Sequence, residues 1–293
     1  MNKSFFLFDF AKRIKRPLIL DGAMGSLLQQ KGFELDQHLW SSIISITNPE
    51  LIIEIHKDYI DAGADIITTN TFRTNPNAIA KSSFNINCEE IVRQSVELAL
   101  TAASGKNRLV AGSNAPAEDC YSANRTISTT SLERNHKYHI DLLVESGVDF
   151  ILNETFSNMD EILIVAKHCS KYEIPFIISL YFTDDLKLLS GESLIDVIKI
   201  VSDYNPISIG FNCIQAKLFS NVYRSLSKDM NFGFYLNHLA QDSKKKLICD
   251  ISPSEFILET EKYLKKSPSF IGGCCGTNPA YTKALRKFID DKN

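Results

Sequence analysis

The sequence predicts one α/β domain with the architecture of a (β/α)8 barrel. Short apolar or β-branched runs alternate with amphipathic stretches along nearly the whole chain, a pattern typical of strand–helix units around a parallel sheet. The chain has 293 residues, and about 250 residues is the usual size of this barrel. No segment rich in Pro, Gly or Ser divides it, so we expect a single domain over residues 1–293.

Eight apolar runs are the predicted strands, and polar residues follow most of them. In a barrel of this kind the chemistry lies at the carboxyl ends of the strands, so those polar residues are the first candidates for a site. In chain order, the predicted strands are residues 18–20, 66–69, 109–111, 150–152, 176–180, 207–209, 232–235 and 270–271.

Capping residues and prolines indicate where the intervening helices begin and end. Asn48 followed by Pro49 predicts a helix start, and Gly63 predicts the end of that helix. Apolar residues at positions 194, 197, 198 and 201 have helical spacing. Further helix starts are predicted at Asn278 with Pro279, and as capping boxes at Asn87 with Glu90 and Asn158 with Glu161.

The competing architecture is an open doubly wound sheet. Its G-x-G-x-x-G fingerprint is absent after the first predicted strand, where the sequence reads DGAMGS. Internal similarity favours the barrel instead. Residues 63–72 and 147–156 share G-x-D-x-I-x-x-x-T-F, and residues 207–213 and 269–275 share I-G-x-x-C. These matches give Asn70 and Glu154 equivalent positions, and likewise Cys213 and Cys275.

Composition excludes several classes of partner. The 32 Lys and Arg residues nearly balance 35 Asp and Glu residues, and the only basic run, residues 244–246, is short, so we expect no nucleic acid partner. No apolar run reaches the ~20 residues that span a bilayer, and the run at residues 5–8 has no signal-peptide cleavage site. Seven irregularly spaced cysteines do not resemble a secreted disulfide framework. We therefore expect a cytoplasmic protein without membrane contact.

The strongest chemical signal is a set of three cysteines at two strand ends. GFNC at residues 210–213 supplies Cys213, and GGCCGT at residues 272–277 supplies Cys274 and Cys275. Neighbouring side chains in a regular strand point to opposite faces, so both adjacent cysteines can bind one ion only if the backbone leaves the strand, which the glycines allow. Three thiolates leave one tetrahedral position open, as in a catalytic zinc site.

The histidines and the remaining cysteines are interpreted as structural. His136 and His139 have the spacing of a ligand pair on a helix, but helices pack outside a barrel of this type, and His56 is interpreted in the same way. His238 is the one histidine near a predicted strand end. The cysteines interpreted as small buried side chains are Cys88, Cys120, Cys169 and Cys249.

Four segments together resemble the homocysteine S-methyltransferases, a family that includes the homocysteine-binding barrel of cobalamin-dependent methionine synthase and the betaine-dependent enzymes. The resemblance covers about residues 17–289. The segments are LILDGAMGSLLQQ (18–30), IHKDYIDAGADIITTNTF (55–72), GFNC (210–213) and IGGCCGTNP (271–279).

This resemblance implies a zinc ion on Cys213, Cys274 and Cys275, with the thiol of homocysteine as the fourth ligand. A free thiol is mostly protonated at pH 7, and zinc binding deprotonates it. Attack on the methyl group of a sulfonium releases a neutral thioether, so no catalytic acid or base is expected. The implied enzyme uses zinc to make methionine from homocysteine. With 293 residues, the chain is most similar to the stand-alone enzymes that use S-methylmethionine or S-adenosylmethionine.

The resemblance also implies how the amino acid is held. Asp21 and Glu154 would bind the amino group of homocysteine, and the backbone amides of Gly22, Ala23 and Met24 would bind its carboxylate. A capping or packing role is the alternative for both acidic residues.

Two asparagines also have roles in this scheme. Asn70 either lines the methyl-donor side or makes a structural hydrogen bond. Asn237 matches the asparagine of the family's Tyr-Pro-Asn strand end and would occupy the open zinc position before substrate binds.

The sequence departs from the family at residues 112–122, GSNAPAEDCYS, and at residues 235–239, YLNHL. Both segments lie where the donor would dock. Strand ends without Lys or Arg suit a cationic donor, and S-methylmethionine, S-adenosylmethionine and betaine all qualify. We rank S-methylmethionine first, S-adenosylmethionine second and betaine third, because the betaine-dependent members of the family are longer than this chain. A zinc hydrolase and a zinc- and thiol-binding barrel without catalysis are the alternatives, and the sequence does not predict the oligomeric state.

Overall fold

Eight parallel strands form the barrel in a computed structural model that describes residues 16–241 and 247–292. Each barrel strand pairs with the next barrel strand along the chain, the last pairs with the first, and a parallel bridge between Leu20 and Ile66 closes the sheet. The predicted (β/α)8 barrel is therefore confirmed. The barrel strands are β1 (Leu18–Ile19), β2 (Ile66–Thr68), β3 (Leu109–Asn114), β4 (Phe150–Phe156), β5 (Phe176–Leu180), β6 (Ser208–Asn212), β7 (Phe232–Leu236) and β10 (Phe270–Gly273).

Helices surround the barrel, and an antiparallel hairpin, β8 (Leu239–Gln241) with β9 (Leu247–Cys249), leaves it after β7. The structure also contains two 3₁₀ turns, Ser41–Ile43 and Leu264–Lys266. The α-helices are α1 (Met24–Gln30), α2 (Ile44–Thr47), α3 (Pro49–Asp61), α4 (Pro76–Lys81), α5 (Cys88–Ala103), α6 (Thr129–Glu145), α7 (Met159–Lys171), α8 (Leu194–Ser202), α9 (Ala216–Ser225), α10 (Pro253–Glu261) and α11 (Pro279–Lys292).

The predicted helix boundaries are mostly correct, although two of the predicted caps are not made. Helix α3 begins at Pro49 as predicted, and Gly63, with a φ of 104°, follows its end. The side chain of Asn87 accepts a hydrogen bond from the third amide of α5. The side chains of Asn48, which also follows the end of α2, and of Asn158 make no such bond.

The core has two layers separated by the strands. Apolar side chains that point into the barrel, among them Leu18, Phe150 and Phe270, form one cluster that ends at Cys274 near the carboxyl end. Larger clusters fill the space between strands and helices. Each fully buried Leu, Ile or Phe contributes about 1.5–3 kcal/mol, so these layers fix the strand ends on which a site is built.

Asp65 ties the barrel closed at its amino end. Its Oδ2 atom accepts a hydrogen bond of 2.9 Å from the amide of Ile19 and one of 2.7 Å from Arg16, and Arg286 lies 3.3 Å from Oδ1. These contacts join β1, the start of β2 and α11. The charged cluster is therefore at the opposite end of the barrel from the polar residues discussed below.

Three sequence expectations concern residues outside the described ranges. They are the absent signal peptide at residues 5–8, the basic run at residues 244–246, and the extension of one domain to residues 1–293. Among the described residues, no helix combines the length and apolarity needed to cross a membrane.

Candidate active site

A single cavity at the carboxyl end of the barrel brings together most of the predicted site residues. Its empty space is about 820 Å³, a volume that includes the open solvent at its mouth. Residues from the ends of β1 to β4, β6, β7 and β10 contribute to its wall. The predicted residues that line it are Asp21, Gly22, Ala23, Met24, Asn70, Glu154, Cys213, Cys274 and Cys275.

The three cysteines meet in this cavity with their sulfur atoms within 4.8 Å of one another. Cys213 comes directly after β6, while Cys274 and Cys275 come directly after β10. The sulfur of Cys274 lies 3.0 Å from that of Cys213 and 3.9 Å from that of Cys275. The backbone therefore leaves the strand where the sequence requires it to, and both adjacent cysteines point to one centre.

The loop that carries Cys274 and Cys275 is fixed by backbone contacts. Gly276 has a φ of 90°, and a Cβ atom there would lie 2.7 Å from the carbonyl oxygen of His238, so a side chain is excluded on two grounds. Ser26 Oγ accepts a 3.0 Å hydrogen bond from the Gly276 amide, and Gln30 Nε2 donates a 3.1 Å bond to its carbonyl. Helix α1 thus holds the cysteine loop from one side.

The three thiols influence one another's pKa values. Hydrogen bonds from Cys274 and Cys275 hold the pKa of Cys213 well below its usual value, and the thiolate of Cys213 in turn holds the pKa of Cys274 well above its own. This cluster fits a zinc ion. A tetrahedral site with Zn–S bonds of about 2.3 Å has sulfur atoms about 3.8 Å apart; the Cys274–Cys275 separation is close to this, and the Cys213–Cys274 separation is shorter. Three soft sulfur donors with one open side are suited to zinc.

Two carboxylates face the same cavity. Asp21 accepts hydrogen bonds from the amide and the hydroxyl of Thr68, at 2.8 and 3.0 Å. Glu154 accepts one from Ser113 and one of 3.2 Å from the hydroxyl of Tyr235. Burial raises the pKa of Asp21 to about 8 and that of Glu154 to about 7. Because no Lys, Arg or His lines the described cavity, this acidic pair has no cationic partner there and is suited to bind a positively charged group.

The turn between β1 and α1 provides free backbone donors. The hydroxyl of Tyr59 donates a 3.2 Å bond to the Ala23 carbonyl, and a Cβ atom on Gly22 would lie 2.7 Å from that hydroxyl. Within the described part of the chain, the amides of Gly22 and Ala23 donate to no other group, whereas the Asp21 amide bonds to Ile66. Amides of this kind can bind an anion.

The two asparagines lie in different surroundings. Asn70 lines the cavity, but its side-chain Nδ2 atom donates hydrogen bonds to the carbonyl of Ser41 at 2.8 Å and to Ser45 Oγ at 3.1 Å. These bonds hold the segment after Trp40 in place. Asn237 is not part of the cavity wall, and its Oδ1 atom accepts a 2.9 Å bond from the amide of Leu239.

Aromatic side chains that the sequence did not indicate complete the wall. Trp40 and Phe72 pack edge to face with ring centres 6.0 Å apart, and Tyr121 and Tyr235 line other parts of the cavity. Tyr121 belongs to the divergent segment at residues 112–122 and packs on Tyr181 at 5.1 Å. None of the four was predicted to line the site, although the sequence analysis touched three of them. Phe72 ends the repeated segment at residues 63–72, and Tyr121 and Tyr235 lie in the divergent segments at residues 112–122 and 235–239.

The two histidines on α6 lie outside the cavity, between barrel and helices. His139 bonds to Thr74 at 2.8 Å and to Asn114 at 2.9 Å, and His136 bonds to Glu161 at 2.9 Å. Burial lowers the pKa of His139 to about 3.

Comparisons with known proteins agree with this geometry. The chain is 27% identical to "Homocysteine S-methyltransferase 1" of Arabidopsis thaliana over 98% of this chain and 97% of that protein. It is 25% identical to "Selenocysteine Se-methyltransferase" of Brassica oleracea var. italica over 92% and 88% of the two chains. The metallated form of the homocysteine methyltransferase MmuM from Escherichia coli superposes with a TM-score of 0.79 at 27% identity, covering 93% of this chain and 96% of that chain. The family model described as homocysteine S-methyltransferase matches residues 18–289. The chain therefore belongs to the homocysteine S-methyltransferase family.

Proposed function

We propose that this enzyme transfers a methyl group from a sulfonium donor to the thiol of homocysteine, forming methionine, with zinc on Cys213, Cys274 and Cys275. The observation that carries the proposal is the convergence, in one cavity, of a three-sulfur cluster with the buried carboxylates of Asp21 and Glu154. One group of residues suits a metal, and the other suits an ammonium ion.

The acceptor is held by groups at its two ends. Its ammonium group would lie between Asp21 and Glu154, where its positive charge lets both carboxylates ionise. Its carboxylate would take the free amides of Gly22 and Ala23, with Met24 beside them. These contacts leave the thiol directed toward the cysteine cluster. Asn237 is proposed to approach the open metal position before substrate binds, which would require its side chain to leave the Leu239 amide.

Zinc bound to the cysteines would lower the pKa of the incoming thiol, so that homocysteine reacts as a thiolate at neutral pH. The bond from sulfur to the methyl carbon forms as the bond from that carbon to the sulfonium sulfur breaks. The electron pair of the broken bond stays on the departing sulfur, which leaves as a neutral thioether. The protein therefore needs no acid at the leaving group.

The walls of the cavity support a cationic donor. Trp40, Phe72 and Tyr121 offer aromatic surface to the cavity, and aromatic faces attract sulfonium and ammonium groups. Asn70 borders this side. We propose S-methylmethionine as the preferred donor, then S-adenosylmethionine, then betaine.

A donor panel tests the proposed reaction. Zinc-loaded protein is given homocysteine with each of the three donors at equal concentration, and methionine is measured as an initial rate, with methyltetrahydrofolate as a further donor. We expect the highest rate with S-methylmethionine. Turnover with betaine alone or with the folate alone would overturn the donor assignment, and no methionine with any donor would overturn the proposed reaction.

We also propose a cytoplasmic location. All seven cysteines are free in the structure, and a reducing compartment keeps thiols available for metal binding.

A further inference from the structure

Strand β4 is irregular where it enters the site. Its register with β5 shifts between Asn153 and Phe156, so that β4 contains one more residue than its partner over this stretch. Thr155 lies in this irregular part of the strand with a φ of 63°, a conformation that is rare for a β-branched residue. Such strain persists only where surrounding contacts hold it, and it is concentrated at functional sites.

Asn212 holds this strained residue. Its Oδ1 atom accepts a 3.0 Å hydrogen bond from the Thr155 amide and a 2.8 Å bond from the hydroxyl of Ser179, and its Nδ2 atom donates a 2.8 Å bond to Thr155 Oγ1. Asn212, Thr155 and Ser179 are fully buried. Asn212 is also the residue before Cys213, which has a φ of 56°. The two unusual backbone conformations therefore meet at one asparagine.

The direction of the hydrogen bonds follows from the chemistry of the groups. A backbone amide can only donate, so the side-chain oxygen of Asn212 must face Thr155 N. The side-chain NH₂ group of Asn212 must then face Thr155 Oγ1. An amide NH₂ group can only donate, so the threonine oxygen is the acceptor in that contact. The hydroxyl proton of Thr155 remains, and its contact in this structure is the sulfur of Cys213, 3.9 Å from Oγ1.

We infer that Thr155 is a positioning residue for the zinc ligand Cys213, and that its hydroxyl, oriented by Asn212 and Ser179, donates a hydrogen bond to the cysteine sulfur. The bond fixes the rotamer of Cys213 and withdraws charge from its sulfur. Groups that orient metal ligands in this way affect affinity about 10- to 100-fold. The inference rests on the proposed zinc site.

The test compares three variants by zinc affinity and by the spectrum of the cobalt-substituted protein. Thr155→Val removes the hydroxyl and keeps the β-branched shape, and Thr155→Ser keeps the hydroxyl. Thr260→Val is the matched control, a buried threonine of α10. Competition with a chromophoric chelator gives the affinity. We expect Thr155→Val to bind zinc about 10- to 100-fold more weakly and to move the sulfur-to-cobalt charge-transfer band to lower energy, with Thr155→Ser and Thr260→Val near the parent protein.

The outcomes separate this inference from the proposed function. If the parent protein binds no zinc, the proposed metal site is wrong. If the parent binds zinc and Thr155→Val matches it in affinity and in spectrum, only the role of Thr155 is wrong. If Thr155→Ser is as impaired as Thr155→Val, the hydroxyl is not the cause, and the inference is overturned.

Discussion

Replacing Glu154 with glutamine is expected to raise the KM for homocysteine about 10- to 150-fold while kcat changes far less. The substitution keeps the shape of the side chain but removes the charge that faces the substrate ammonium group. A charge-assisted hydrogen bond contributes about 1.5–3 kcal/mol, which corresponds to that range of affinity. The ammonium group is distant from the reacting sulfur, so the contact is similar in the ground and transition states, and its loss appears in KM.

A substrate without the amino group gives the control. 4-Mercaptobutyrate is homocysteine lacking that group, so the parent protein and Glu154→Gln should use it with similar KM values. Glu97→Gln, on the exposed face of α5, should leave both substrates unaffected. If Glu154→Gln has the parent's KM for homocysteine, Glu154 does not bind the substrate ammonium group.

The pH dependence of the parent protein tests the same contact. Burial raises the pKa of Glu154 to about 7 and that of Asp21 to about 8. The other titratable groups near this pair are Tyr59, Tyr235 and the cysteine cluster. Each carboxyl is neutral below its pKa and charged above it, and only the charged form attracts ammonium. The KM for homocysteine should therefore fall from about pH 6 to about pH 9. It should fall more than the KM for 4-mercaptobutyrate, which has no ammonium group to interact with the carboxylates.

Replacing Cys275 with alanine is expected to remove zinc from the purified protein and to abolish methionine formation. The variant leaves two thiolates of the cluster. Loss of a ligand should weaken zinc binding by more than the roughly 10- to 100-fold expected for loss of a group that only orients a ligand. Zinc per chain is measured by elemental analysis after dialysis against a chelator. The parent protein should retain one zinc per chain.

Cys249→Ala serves as the matched control for this variant. Cys249 lies in the β8–β9 hairpin, outside the cysteine cluster, and its loss should leave the zinc content unchanged. A Cys275→Ala protein that still carries one zinc per chain would mean that the metal binds elsewhere.

The barrel could be predicted from the sequence because its determinants are local and repeated. The alternation of apolar runs with helical stretches can be recognised even when the predicted bounds of a strand are wrong by one residue. The turns that end helices need specific residue types, such as the glycine at position 63. The cysteine cluster was equally accessible, since Cys274 and Cys275 are adjacent and Cys213 occupies the equivalent position in a similar segment.

Other parts of the site depend on contacts between distant segments. The aromatic wall joins Trp40, Phe72 and Tyr121, which no spacing rule connects. The side chain of Asn237 bonds to its own turn, a local alternative that competes with any role toward a ligand. Strand periodicity also could not show the extra residue in β4 near Thr155, because one inserted residue changes which side chains point inward without changing the composition of the strand.

The most direct test of the central claim is the number of sulfur neighbours of the bound zinc, measured by X-ray absorption on the zinc-loaded protein with and without homocysteine. We expect three sulfur atoms at about 2.3 Å from Cys213, Cys274 and Cys275 in the absence of substrate, and four when homocysteine is saturating. A sulfur count that stays at three in the presence of saturating homocysteine would contradict the account, because the thiol would then not be bound by the metal that is proposed to activate it.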